Sequence, residues 1–109
     1  MIRNNCGFDF SAERENLTVS VGGEIDHHGA VPLRDGIDAL IWENRPKHLY
    51  LDMSGVEFMD SSGIGVLIGR SRNLKFAGGQ VVAVHLSPRV EQIFRLSGLH
   101  QMIQIEEEE

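Results

Sequence analysis

The chain has 109 residues, enough for one small domain and too few for two. Hydrophobic residues make up 41% and charged residues 24%, the make-up of an ordinary globular protein, and no apolar stretch approaches a membrane span. The net charge of −6 argues against nucleic acid as the partner, because a basic patch is the usual footprint of such binding.

The opening Met1-Ile2-Arg3-Asn4-Asn5 lacks the apolar run of a secretory signal. The single Cys6 leaves no internal disulfide and fits a reducing cytoplasm. Glu106 to Glu109 reads as a solvated, like-charged end.

Phe8-Asp9-Phe10-Ser11 alternates apolar and polar residues, as a half-buried strand does. Arg14-Glu15-Asn16 reads as a turn, and Leu17-Thr18-Val19-Ser20-Val21 alternates again, so the two segments form a hairpin that Gly22-Gly23 ends. From Ala30 to Asn44 the residues Leu33, Ile37, Leu40 and Ile41 make a helical stripe, with Pro32 tolerated in the first turn. Arg45-Pro46 closes that helix. The strand from His48 to Met53 is nearly continuous in apolar residues from Leu49 onward, as a strand covered on both faces should be.

A second helix runs from Ile64 to about Phe76. Ile64, Leu67, Ile68, Ser71 and Leu74 lie on one face; Arg70, Arg72, Asn73 and Lys75 lie on the other. Gly78-Gly79 stops it. Gln80 to Val84 is another buried strand. Ser87-Pro88 supplies an N-cap and a proline at the first helical position; Val90, Ile93, Phe94 and Ser97 line the helix, and Gly98 caps its end. Met102-Ile103-Gln104-Ile105 is a last short strand. The order β-β-α-β-α-β-α-β predicts an α/β domain over residues 1–109, a mixed and mostly parallel sheet with helices packed on it.

Two turns carry chemistry. Asp60-Ser61-Ser62-Gly63 stands where the second helix begins, and Asp and Ser are favoured N-caps there. A second reading makes one serine a phosphate acceptor, since a helix N-terminus offers N–H donors and the positive end of a dipole. The glycines do not fit other uses of a serine turn. A nucleophile elbow needs glycine two residues either side of the serine, and here Met59 or Asp60 takes the first place. Gly63, Gly65 and Gly69 match neither a dinucleotide fingerprint nor a phosphate loop. Gly65 and Gly69, inside the helix, read as places of close backbone approach that packing or contact must offset.

The other turn is Gly23-Glu24-Ile25-Asp26-His27-His28, before the first helix, with Asp26 near its N-cap. The paired histidines invite a metal reading, but zinc wants three or four ligands, Cys6 is the one cysteine, and His48, His85 and His100 are scattered. If the strands before the two turns run parallel, both turns lie at the same strand ends and share a surface. Asp52 invites an aspartyl-phosphate reading but lacks the acidic residues and lysine such a site wants; it is a strand-end carboxylate.

The acidic His-His turn, the run Phe58-Met59-Asp60-Ser61-Ser62-Gly63-Ile64-Gly65-Val66, and Ser87-Pro88 through Phe94 to Ser97-Gly98-Leu99 together resemble the STAS domain of anti-sigma factor antagonists, most closely the sporulation type that acts on the anti-sigma F factor. The resemblance runs in order through nearly the whole chain. It implies a non-enzymatic switch in the cytoplasm, monomeric in isolation, with no membrane or nucleic-acid partner. The unphosphorylated protein would bind an anti-sigma factor that is a serine kinase and so free the sigma factor. The kinase would use its own bound ATP to phosphorylate Ser61, and a serine phosphatase would reset the switch. No cofactor of the chain's own is implied. The partner surface carries over to Asp26, Met59, Asp60, Ser61 and Ser62, with His27 and His28 beside them. A scaffold STAS protein of the stressosome type, acting through assembly, is the alternative. Members usually carry a further helix after the last strand, where this sequence has Glu106 to Glu109.

Overall fold

The computed structural model describes residues 6–106. The first five residues and the acidic end beyond Glu106 lie outside the described residues.

Strands β1 (Cys6–Glu13) and β2 (Asn16–Ile25) form the expected antiparallel hairpin, with Phe8 opposite Val21 and Ala12 opposite Leu17. Helix α1 (Ala30–Asn44), strand β3 (His48–Met59), helix α2 (Ser61–Phe76), strand β4 (Gln80–Val84), helix α3 (Pro88–Ser97), a 3₁₀ turn (Leu99–Gln101) and strand β5 (Gln104–Glu106) follow. The sheet keeps chain order, β1-β2-β3-β4-β5, and every pair after the hairpin is parallel. The α/β class and the element order stand as predicted.

The core lies on one face of the sheet. Leu17, Val19 and Val21 of β2, Leu49, Leu51 and Met53 of β3, and Val81 and Ala83 of β4 join the buried apolar residues of all three helices in one cluster. Such residues stabilise by about 1.5–3 kcal/mol each when fully buried. The alternate positions Tyr50 and Asp52 are only half-buried, so β3 is covered on one face and not on two. Its apolar reading mistook Tyr50 for a core residue.

Two strands run further than the sequence predicted. Strand β2 continues past Gly22-Gly23 to Ile25, through register shifts at Ser20/Gly22 and Gly23/Glu24, with Gly23 at φ 84°. A glycine in that left-handed region permits a bulge and does not have to end a strand. Strand β3 likewise continues past Ser54-Gly55, pairing Gly55 with Gly22 and Met59 with Ile25. A side chain on Gly55 would meet the Val21 carbonyl oxygen at 3.1 Å, so the two glycines let the strands pass closely.

The helix ends follow their caps. Ser87 Oγ accepts from the Val90 N–H at 3.2 Å, and Gly98 closes α3 at φ 84°. Val90 and Phe94 are fully buried; Ile93 is half-buried and Ser97 exposed. In α2, Ile64 and Ile68 are half-buried and Arg72, Asn73 and Lys75 exposed. Arg70, expected with the exposed residues, is only 7% exposed. Helix α1 packs beside α2 and brings Asp38 Oδ1 to 2.7 Å from Arg70 Nε, a counter-charge that lets the guanidinium be buried. The last strand starts at Gln104 and not at Met102. Leu99 and Ile103 are taken into the core by the 3₁₀ turn, and Ser71 Oγ donates to the Met102 carbonyl at 3.3 Å.

Candidate functional site

Ile25 and Met59 end adjacent parallel strands in register, and the Asp60 N–H donates to the Ile25 carbonyl at 3.1 Å. Asp26 and Asp60 are therefore each the first residue beyond neighbouring strands. The two turns form one surface, as the parallel arrangement predicted.

Asp60 is the N-cap of α2. Its Oδ1 accepts from the Ser62 N–H at 2.8 Å and the Gly63 N–H at 3.2 Å, and its carbonyl accepts from the Ile64 N–H at 3.0 Å. This alters the phosphate reading in one respect. A phosphate on Ser61 does not meet a vacant pair of N–H donors, because the carboxylate of Asp60 already holds them. Ser61, the first helical residue, is exposed; Ser62 is half-buried. Gly63 is needed for the turn: a Cβ there would stand 2.7 Å from both the carbonyl oxygen and Cγ2 of Ile25. The close approach that the sequence assigned to Gly65 and Gly69 belongs to Gly63. A Cβ at either of the other two meets nothing within 4 Å.

Asp26 shapes the neighbouring turn. Its Oδ1 accepts from the His28 N–H at 3.0 Å and the Gly29 N–H at 3.1 Å, and its carbonyl accepts from the Ala30 N–H at 2.9 Å. The N-cap of α1 itself is Gly29, without a side-chain bond. The Gly29 N–H, then the His28 N–H and the adjacent imidazoles, hold the Asp26 carboxyl below its ordinary value of 3.8; partial desolvation opposes them. His27 is exposed, its Nδ1 4.0 Å from Asp60 Oδ2, an ion pair when the ring is protonated. The His27 and His28 rings lie 4.1 Å apart, tilted by 39°. His27 thus bridges the two turns, with Asp60 on one side and His28 on the other.

Met59 is different. It is 2% exposed and belongs to the core cluster, so its side chain does not reach the surface expected to meet a partner. Its contribution is to fix the strand end from which Asp60 starts. The residue beside it, Phe58, is half-buried under the Arg89 guanidinium, 5.1 Å from the ring centroid. Sequence reading also missed Arg34 and Arg70, which line a groove next to Ser62. Their types were visible, but nothing in the order of residues shows that α1 and α2 bring them together. Asp52 lies inside β3, where its Oδ1 accepts from the Ser54 N–H at 3.0 Å. Among the described residues, no three His, Cys, Asp or Glu side chains form a group that would hold a metal ion. Nor, among these residues, is any helix long and apolar enough to cross a membrane.

Known proteins share this fold. The family model described as the STAS domain matches residues 9–109. An anti-sigma F factor antagonist of Lysinibacillus sphaericus is 35% identical over 86 residues, 79% of this chain and 74% of that protein. One from Paenibacillus polymyxa is 31% identical over 105 residues, 96% and 90%. Among solved structures, the anti-sigma factor antagonist SpoIIAA in its unphosphorylated form superposes with a TM-score of 0.79 at 30% identity, over 92% of this chain and 88% of that one. SpoIIAA of Bacillus in its phosphorylated form gives 0.71 at 29%, over 92% and 91%. The chain belongs to the STAS domain family, alongside these anti-sigma factor antagonists.

Proposed function

We propose that the chain is an anti-sigma factor antagonist whose switch is the phosphorylation of Ser61. Unphosphorylated, it binds an anti-sigma factor that is a serine kinase and thereby releases the sigma factor. The kinase spends its own ATP on Ser61 and lets go, and a serine phosphatase restores the starting state. The chain acts by binding and not by turnover, as a monomer in the cytoplasm. The observation that carries this reading is the exposed Ser61, the first residue of α2 after the Asp60 cap, at strand ends where the Asp26 turn lies alongside.

The physical argument is one of charge. A phosphoserine adds roughly −1.5 to −2 charge. Ser61 lies outside the cap bonds, so the added group stays in solvent and the helix keeps its start. Against a partner, however, that charge must be desolvated beside two carboxylates. An unpaired buried ion costs several kcal/mol, and each 1.4 kcal/mol is about tenfold in affinity. Orders of magnitude in binding therefore need no change of fold. His27 faces Asp60, and an enzyme reading would need a base within hydrogen-bond reach of the serine.

Binding of the kinase, measured without ATP, tests this. Ser61→Ala is expected to bind like the unaltered chain and to resist phosphorylation; Ser61→Asp is expected to bind at least about tenfold more weakly. Equal binding by Ser61→Asp, or phosphate on another residue, contradicts the reading. A large stable oligomer of the isolated chain would favour the scaffold alternative.

A further inference from the structure

The strand ends far from Ser61 make a second pole of the molecule. Strand β3 runs from His48, at this pole, to Met59, beside the Ser61 turn. Asn16, His48 and Gln80 start β2, β3 and β4 in register. The Glu15 carbonyl accepts the Lys47 N–H at 2.8 Å, and the Lys47 carbonyl accepts the Gln80 N–H at 2.9 Å. The hairpin turn and the C-terminal ends of α1 and α2 are thereby brought together.

Five of the ten lysines and arginines stand here: Arg14, Arg45, Lys47, Arg72 and Lys75, all exposed. Three carboxylates accompany them, Glu13, Glu15 and Glu43, so the pole is cationic although the chain as a whole carries −6. None of the five cations enters an ion pair among the described residues. Two large apolar side chains stand out from the same pole. Phe76, the last residue of α2, is 97% exposed, the most of any large apolar residue described; Trp42, in the last turn of α1, is 73% exposed. Trp42 is held in place. The Arg45 guanidinium lies 4.3 Å from its ring centroid, and Arg45 Nε donates to its carbonyl at 2.9 Å.

We infer that this pole is a peripheral seat for an anionic lipid surface, with Trp42 and Phe76 entering the headgroup layer and the five cations facing lipid phosphates. Aromatic rings favour that layer, and cations beside it gain from its negative potential. A ring as exposed as Phe76 stands in no cleft, and a headgroup layer takes it without a matching shape, which a folded protein partner does not. Unpaired cations spread over three segments likewise suit an array of charges and not a single carboxylate. The acidic remainder of the chain does not oppose the contact. The 12 residues of β3 set the Ser61 end roughly 35 Å away, at about 3.3 Å per residue, and charge is screened over about 8 Å at physiological ionic strength. The family resemblance implies no membrane partner, and here the inference departs from it. No helix has to cross the bilayer, the Ser61 surface lies at the opposite pole, and the seat does not depend on kinase binding.

Vesicles of equimolar phosphatidylcholine and phosphatidylglycerol test it, with pure phosphatidylcholine as the control. Trp42 is the one tryptophan, so its emission reports on the pole directly. Anionic vesicles are expected to sediment the chain and to shift that emission to the blue, both effects reversed by salt; neutral vesicles are expected to do neither. Lys47→Gln combined with Lys75→Gln is expected to weaken binding at least about tenfold, and Phe76→Ser at least about threefold. Both leave the melting temperature nearly unchanged, because the three side chains are exposed. No sedimentation with anionic vesicles, equal sedimentation with neutral ones, sedimentation without the blue shift, or a smaller loss in either variant overturns the inference. A chain that ignores anionic vesicles yet binds polyglutamate or duplex DNA through the same lysines uses the pole for an acidic macromolecule, and that result overturns the lipid seat as well.

Discussion

At Asp60 one carboxylate oxygen does the capping, and the other faces His27. Removing the cap with Asp60→Ala is expected to cost about 1 kcal/mol in urea unfolding, within the usual range of roughly 0.5–2, and Asp60→Asn to recover most of it. Asp26 gives a pH-dependent counterpart. Its folded pKa is depressed by the Gly29 and His28 N–H groups, so it contributes stability above the ordinary value of 3.8 and loses it as pH falls through the lower, folded value. The stability gap between the unaltered chain and Asp26→Asn should thus be full at neutral pH and close on acidification below 3.8; a gap independent of pH would refute the assignment. The turn-forming roles of Asp26 and Asp60 were legible because their type at a strand-to-helix turn admits few uses. Arg70 was not, since its burial depends on Asp38, a residue of another helix.

Among the elements, α1 and α3 were read nearly to the residue from Pro32, Ser87-Pro88 and Gly98, whose backbone preferences are local, while α2 starts at Ser61, three residues before the predicted Ile64. The second halves of β2 and β3 were not. Gly22-Gly23 reads as a stop and the apolar run of β3 breaks off at Met53, and only the pairing of Gly22 with Gly55 across the sheet turns this stretch into a passage for two close strands. The contact of α2 with β2 is equally tertiary, and it supplies its own test. Gly63→Ala gains about 1 kcal/mol of helix propensity but drives a methyl into the Ile25 carbonyl, and overpacking typically costs 1–3 kcal/mol, about as much again or more. A net loss of stability is expected by denaturant titration. A stabilised Gly63→Ala would mean that α2 does not sit on Ile25.

For the molecule as a whole, the core lies on one face of one sheet, and the proposed switch sits at the strand ends. The acceptor is outside the core and outside the cap, so the phosphorylated chain should keep its circular dichroism spectrum and unfold within about 1 kcal/mol of the unmodified one, the size of a helix-terminus charge effect. What changes is the face shown to a partner. The most direct test is to hold the complex with its kinase, add ATP, and follow intact mass and complex size together. The expected result is a gain of about 80 Da, one phosphoryl group, located at Ser61 and accompanied by release of the chain from the kinase. Phosphate on Ser61 with the complex still assembled, or release without any gain in mass, would contradict the account.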